Sequence, residues 1–259
     1  MNLAMHGFRD GWIVTKRNLM RYLRLPQLVV ISSIQPIMFL TLFNFVFGGA
    51  IGASLTVPGG EYINFLLPGI LVQTILFGSL QTGIGLSRDM NAGIIDRFRS
   101  LPMSRTAVLN GRTIADMIRN TFVAMIMLAV GFILGFRFQD GIFNGMMMIV
   151  VVLAFGYAFS WVAAFIGLAV KDEETAQLAG FLFIFPLTFA SAAFVPTSTM
   201  PDWLQTFAEN QPVTQAVNSA RHFALGTPAD GATLSLMIWI AAIMAVFVPL
   251  SIYYYRKRS

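Results

Sequence analysis

The sequence predicts an all-α polytopic membrane protein with six transmembrane helices, and three observations predict it. Apolar stretches occupy roughly 28–51, 63–87, 120–136, 142–170, 176–195 and 232–253 of the 259 residues. Each holds about 17 residues or more, which at about 1.5 Å rise is enough to cross the hydrocarbon core. The composition agrees: 56% hydrophobic, 11% charged and a mean hydropathy of +0.71 all lie beyond soluble-domain norms. Of the 17 Lys and Arg residues, only Arg137 and Arg221 fall on one side of these stretches. The rest lie in 1–27, 88–119, 171–175 and the C-terminus, and the positive-inside rule puts that side in the cytoplasm.

Both termini are therefore expected in the cytoplasm of a bacterial or archaeal type of plasma (inner) membrane. A pI near 9.9 raises nucleic acid as a partner. Here, however, the basic residues flank spans and form no face with interleaved aromatics, so orientation and anionic lipid account for them. Cysteine is absent, which excludes disulfides, thiolate catalysis and cysteine zinc sites. Residues 1–27 are charged and lack a continuous apolar core, so the first span is expected to act as its own insertion signal.

Residues 5–24 read as an interfacial amphipathic helix. Met5, Phe8, Trp12, Leu19, Tyr22 and Leu23 share one arc, and Arg9, Lys16, Arg17, Arg21 and Arg24 another. The first span contains Gln35-Pro36, and the proline is expected to kink or break it. The second contains Pro68-Gly69 and a polar set in which Gln73 and Gln81, eight residues apart, share a face with Thr74 nearby. Buried amides in hydrocarbon need partners, so that face should meet other helices or a cavity. Packing is the plainer role for it, substrate contact the sharper one.

Residues 88–119 form the one sizeable cytoplasmic loop. Its core, Ile94-Ile95-Asp96-Arg97-Phe98-Arg99, has helical spacing and is stopped by Pro102 after Leu101. A short helix with exposed apolar and charged groups suits docking into a partner's groove; the plainer alternative is a solvated loop. Arg112 and Asp116 form an i,i+4 pair at the interface. Asp172, Glu173 and Glu174 are placed to cap the helix that follows. Residues 196–228 form an external segment of two short amphipathic helices, the first opening at Thr199-Met-Pro-Asp202. The last span ends Tyr253-Tyr-Tyr-Arg-Lys-Arg258, aromatics followed by cations, as at a cytoplasmic interface.

Several chemistries lack their residues. The lysines follow Thr15, Val170 and Arg256, so none belongs to a phosphate-binding Gly-Lys-Ser/Thr loop. His6 and His222 stand apart and form no ligand set. No charged residue is expected deep within a span, which disfavours a proton-driven carrier. If the chain moves something, the energy is expected from outside it.

Four stretches resemble the membrane subunit of type-2 ATP-binding-cassette exporters, the daunorubicin-resistance permease group. They are Tyr62-Ile-Asn-Phe-Leu-Leu-Pro-Gly-Ile-Leu-Val-Gln73, Asp96-Arg-Phe-Arg-Ser-Leu-Pro-Met-Ser-Arg105, Lys171-Asp-Glu-Glu-Thr-Ala-Gln177, and Phe194-Val-Pro-Thr-Ser-Thr-Met-Pro-Asp-Trp-Leu204 with Asn210-Gln-Pro-Val-Thr214. Asn210-Gln211-Pro212, where relatives often read Asn-Pro, is a small departure. The resemblance implies a single transmembrane domain over 1–259, paired as a homodimer or with a related permease. It also implies two copies of a separate ATPase that binds the ATP and Mg, leaving this chain without a cofactor, a metal or catalysis of its own. Ile94, Ile95, Asp96, Arg97, Phe98, Arg99 and Leu101 would be the coupling helix seated in the ATPase. Substrates of the group are amphipathic drugs, lipids or glycolipids. Gln35, Asn44, Gln73, Thr74 and Gln81 are the candidates for the substrate path or dimer seam. Two alternatives remain at this stage: an intramembrane enzyme modifying lipid head groups, with Asp172, Glu173 and Glu174 as its only candidate acid cluster, and a scaffold that transports nothing.

Overall fold

The computed structural model describes residues 3–24, 27–52, 61–95 and 105–257, and among these every regular element is helical. The helices are α1 (Leu3–Arg24), α2 (Gln27–Gly52), α3 (Tyr62–Asn91), α4 (Arg105–Ile133), α5 (Gly141–Ala169), α6 (Glu173–Phe189), α7 (Asp202–Asn210), α8 (Pro212–Leu225) and α9 (Ala232–Lys257). Five of them, α2, α3, α4, α5 and α9, are long and apolar enough to cross a membrane.

The expected sixth span is shorter than its sequence suggested. The apolar run continues to 195, but α6 has 17 residues and stops at Phe189. The cause lies some twenty residues downstream. The Gln211 side-chain amide donates to the Leu187 carbonyl at 2.9 Å and the Ala190 carbonyl at 3.1 Å, occupying acceptors that a helix end leaves open. Its oxygen meanwhile accepts from the Val213 N–H at 3.0 Å, so one side chain ends α6 and begins α8. The departure at Asn210-Gln211-Pro212 thus has a structural role.

α3 is the axis of the bundle. It packs against α2, α4, α5, α6 and α8 and is buried around nearly its whole circumference. A predominantly apolar helix whose polar residues also find partners inside the bundle belongs in such a central position. Its closest neighbour is α5. Cβ atoms built on Gly83 or Gly167 would each strike backbone of the opposite helix, so the two backbones touch with no side chain between them. α2 and α9 are peripheral, with most of their surface facing outward. The helix is not broken at Pro36: α2 continues through it, and α3 likewise runs through Pro68.

α1 lies along α4. The buried positions are Asp10, Gly11, Val14, Thr15 and Asn18, whereas Trp12 is 55% exposed. Small residues allow this approach: a Cβ on Gly111 would meet the Gly11 carbonyl at 2.7 Å, and the Thr15 hydroxyl donates to the Gly111 carbonyl at 3.2 Å.

The segment carrying α7 and α8 is tucked in. α8 packs against α3, α5 and α9. Arg221, counted from sequence among outward-side cations, is 6% exposed. Its guanidinium lies 3.5 Å from the Phe65 ring centroid and donates to the carbonyls of Phe65 (3.0 Å) and Ala193 (3.3 Å). It therefore pins α8 to α3 and to the turn after α6, a cation–π and hydrogen-bonding role with no lipid contact.

Candidate functional site

The end of the bundle that carries Arg17, Arg88 and Arg112 holds a buried ionic network across α1, α3 and α4. Asp116 of α4 is completely buried. It accepts from the Tyr22 hydroxyl of α1 at 2.6 Å, the Thr82 hydroxyl of α3 at 2.8 Å and the Arg112 Nε one turn earlier at 3.2 Å. Arg112 also donates to the Gln81 carbonyl at 3.2 Å and lies 3.6 Å from Asp89, which pairs with Arg17 at 3.0 Å. Gly85 is what lets Arg112 lie on α3, since a Cβ there would overlap the guanidinium. Arg88 and Glu173 extend the set to α6 at 3.5 Å.

The expected Arg112–Asp116 pair is present, but it is buried and does not sit at an exposed interface. Asp116 lies about a third of the way along the Ala107–Ile133 stretch, which begins well before the expected span at 120–136 and so takes in this charge near one end. Three donors hold this carboxylate, so it acts as a clasp between helices and is not a free proton carrier. Tyr22 lies outside the spans. Burial, and then the neighbouring Asp116 charge, push its phenol up to about 12, so it stays a donor at any physiological pH.

Next to this network is a cleft of about 520 Å³ between α1, α2, α3, α4 and α6. Gln35, Gln73, Thr74 and Gln81 all line it, so four of the five residues singled out for a path or seam converge on one space. Asn44 is not among its lining residues and sits half-buried further along α2. Three arginines absent from that sequence set, Arg88, Arg112 and Arg119, also line the cleft, with Asn120 and Gln177. The rest of the lining is largely apolar, including Phe39, Phe77, Leu80 and Phe181. From there a run of neighbouring rings leads away: Phe77–Phe181 at 5.7 Å, then Phe185, Phe189, Phe194 and Phe43 at 5.2, 4.3, 5.3 and 5.0 Å.

The residues expected to form the coupling helix divide. Ile95 is buried in a cluster with Leu86, Val108, Leu109, Trp161, Leu168 and Tyr255, whereas Ile94 is half-buried. Asp96, Arg97, Phe98, Arg99 and Leu101 lie outside the described residues. Asp172 caps α6 as expected, accepting from the Thr175 N–H at 2.7 Å, and those hydrogen bonds hold its carboxyl below the usual carboxylate range. Glu173 faces Arg88, and among the described residues no group of acids and histidines forms a metal site.

Residues 9–225 match the ABC-2 type transporter family. Among curated proteins, the chain is 30% identical over 243 residues to the daunorubicin resistance ABC transporter permease protein DrrB1 of Streptomyces coeruleorubidus, covering 94% of this chain and 84% of that one. It is 32% identical over 247 residues to the probable doxorubicin resistance ABC transporter permease protein DrrC of Mycobacterium tuberculosis, covering 95% and 88%. It is also 26% identical over 217 residues to the putative transport permease ycf38 of Cyanophora paradoxa, covering 82% and 73%.

Proposed function

The chain belongs to the ABC-2 type transporter family, and from that premise we propose that it is the permease subunit of an ATP-driven exporter. It moves an amphipathic drug, lipid or glycolipid out of the cytoplasm or inner leaflet. Two copies, or this chain and a related permease, pair with two copies of a separate ATPase that binds the nucleotide and Mg. The observation that carries this reading is the cleft itself, lined by amides and arginines together with aromatic and aliphatic residues, inside a multi-pass membrane protein. A space of that character suits a solute with a polar and an apolar part.

Coupling follows from the way the ends are tied. Ile95 anchors the start of the 94–101 segment to α3, α4, α5 and α9 through its apolar cluster. The ionic network ties α1, α3 and α4, which are also walls of the cleft. A push on the segment would thus reach the cleft through rigid contacts and shift it between two states.

The test uses the full chain reconstituted with its ATPase. Ile94→Asp should insert and fold normally yet lose ATP-dependent export, because it removes an apolar contact offered to the partner. Ile95→Asp should fail to fold, because it puts an unpaired carboxylate in an apolar cluster. Full export by Ile94→Asp would defeat the coupling assignment, and uphill transport by this chain alone would defeat the exporter reading.

A further inference from the structure

We infer that the cleft selects amphiphiles with an anionic, phosphate-type head group, taken up by Arg119 and its neighbours with the apolar body against Phe77 and Phe181. This rests on the exporter reading and narrows its substrate class. Two independent observations point to it. The cleft's charged lining is of one sign: Arg88, Arg112 and Arg119 line it, and none of the lining residues is a carboxylate. The acids of the network, Asp89 and Asp116, lie behind the arginines and not on the cleft surface.

The second observation is an unused donor. Arg119 is 6% exposed, and its Nη2 donates to the Gly78 carbonyl at 2.7 Å and the Asn120 side-chain oxygen at 2.9 Å. Its Nε–H is buried with no hydrogen-bond partner. Among the described residues it forms no ion pair, while Arg112 and Arg88 do. Tyr22, its ring centroid 5.7 Å from the guanidinium carbon, steadies the cation without neutralising it. Arg119 lines the cleft with part of its donor set unfilled, and a phosphate oxygen is the acceptor that a guanidinium suits. A cationic head group would find no carboxylate among the lining residues. The apolar wall continues into the ring series beyond Phe181, which gives the rest of the molecule a surface to follow.

The phosphate chemistry could come from a lipid or from the free ion, and competition binding separates the two. The full-length chain in phosphatidylcholine nanodiscs is loaded with a fluorescent short-chain phosphatidic acid and challenged with four competitors. These are unlabelled short-chain phosphatidic acid, short-chain phosphatidylcholine, inorganic phosphate and doxorubicin. Phosphatidic acid should compete at least tenfold better than the other three, and Arg119→Gln should weaken its binding roughly tenfold or more. Arg88→Gln, at the rim and tied only to Glu173 among the described ion pairs, should weaken it by about two- to fivefold, and serves if the Arg119 variant does not fold. Equal competition by phosphatidylcholine, by inorganic phosphate or by doxorubicin overturns the assignment, as does unchanged binding in folded Arg119→Gln. ATP-coupled export of a neutral amphiphile surviving such a failure would leave the exporter reading standing.

Discussion

Replacing Asp116 with alanine would leave three donors converging on a site that no longer holds an acceptor. These are the Tyr22 hydroxyl, the Thr82 hydroxyl and the Arg112 Nε, 2.6, 2.8 and 3.2 Å from the present carboxylate. Removing one partner from a buried ion pair costs about 3–5 kcal/mol, because the other charge stays buried and uncompensated. Of carboxylates, Arg112 would retain only Asp89, at 3.6 Å and shared with Arg17. For a chain of this size the loss corresponds to a melting temperature lower by roughly 6–20 °C. The assay is unfolding of the purified protein in mixed micelles, followed by tryptophan fluorescence, for wild type, Asp116→Ala, Arg112→Met and the double variant. The double variant should recover part of the loss, since it leaves no buried cation at that position. A cost for Asp116→Ala below about 1 kcal/mol, or strictly additive effects, would refute the clasp described above.

Tyr22→Phe should cost about 1.5–3 kcal/mol, the usual worth of a hydrogen bond to a charged group. The folded phenol titrates at about 12 against 10.0 unfolded, so its contribution is complete below pH 10 and is lost as pH rises through 12. Wild type should therefore lose stability more steeply than Tyr22→Phe over that window, and parallel curves would contradict the shift. Gly83→Ala should destabilise by about 1–3 kcal/mol in thermal unfolding, although alanine is the better helix former by about 1 kcal/mol. A stabilised variant would show that α3 and α5 do not meet at backbone distance. Gln73→Leu should leave the folded yield intact and shift the transport ratio of two head-group variants by roughly tenfold. Loss of yield alone would assign Gln73 to packing.

Much of the architecture could be read from the amino acids because hydropathy and cation placement act over whole segments. The limits of α2, α3, α5 and α9, the Asp172 cap and the paired short helices after α6 follow from local chemistry that neighbours do not override, whereas α4 begins at Arg105, well before the expected 120. The end of α6 was not legible, since it depends on Gln211, some twenty residues downstream. Nor was the inner face of α1. Helices meeting in or beside lipid approach through small residues, so Gly11, Val14 and Thr15 face α4 while the bulky Trp12 faces out. The cleft was half visible. Its amides stood out against an apolar background, but Arg112 and Arg119 looked like ordinary interface cations. Only the folded arrangement, with Gly85 clearing space and Thr82 and Tyr22 supplying donors from other helices, brings them inside.

The backbone contact at Gly83 and Gly167 has a consequence for how the chain tolerates change. Where two helices touch main chain to main chain, no rotamer can adjust to absorb an altered volume, and a mismatch must be taken up by displacing a whole helix. α2 and α9, loosely held at the rim, can exchange one apolar residue for another with little penalty. Random mutagenesis should accordingly leave α3 and the facing stripe of α5 nearly invariant among survivors while the rim helices drift. The stiff central pair would then be the fixed post against which any swinging element is measured.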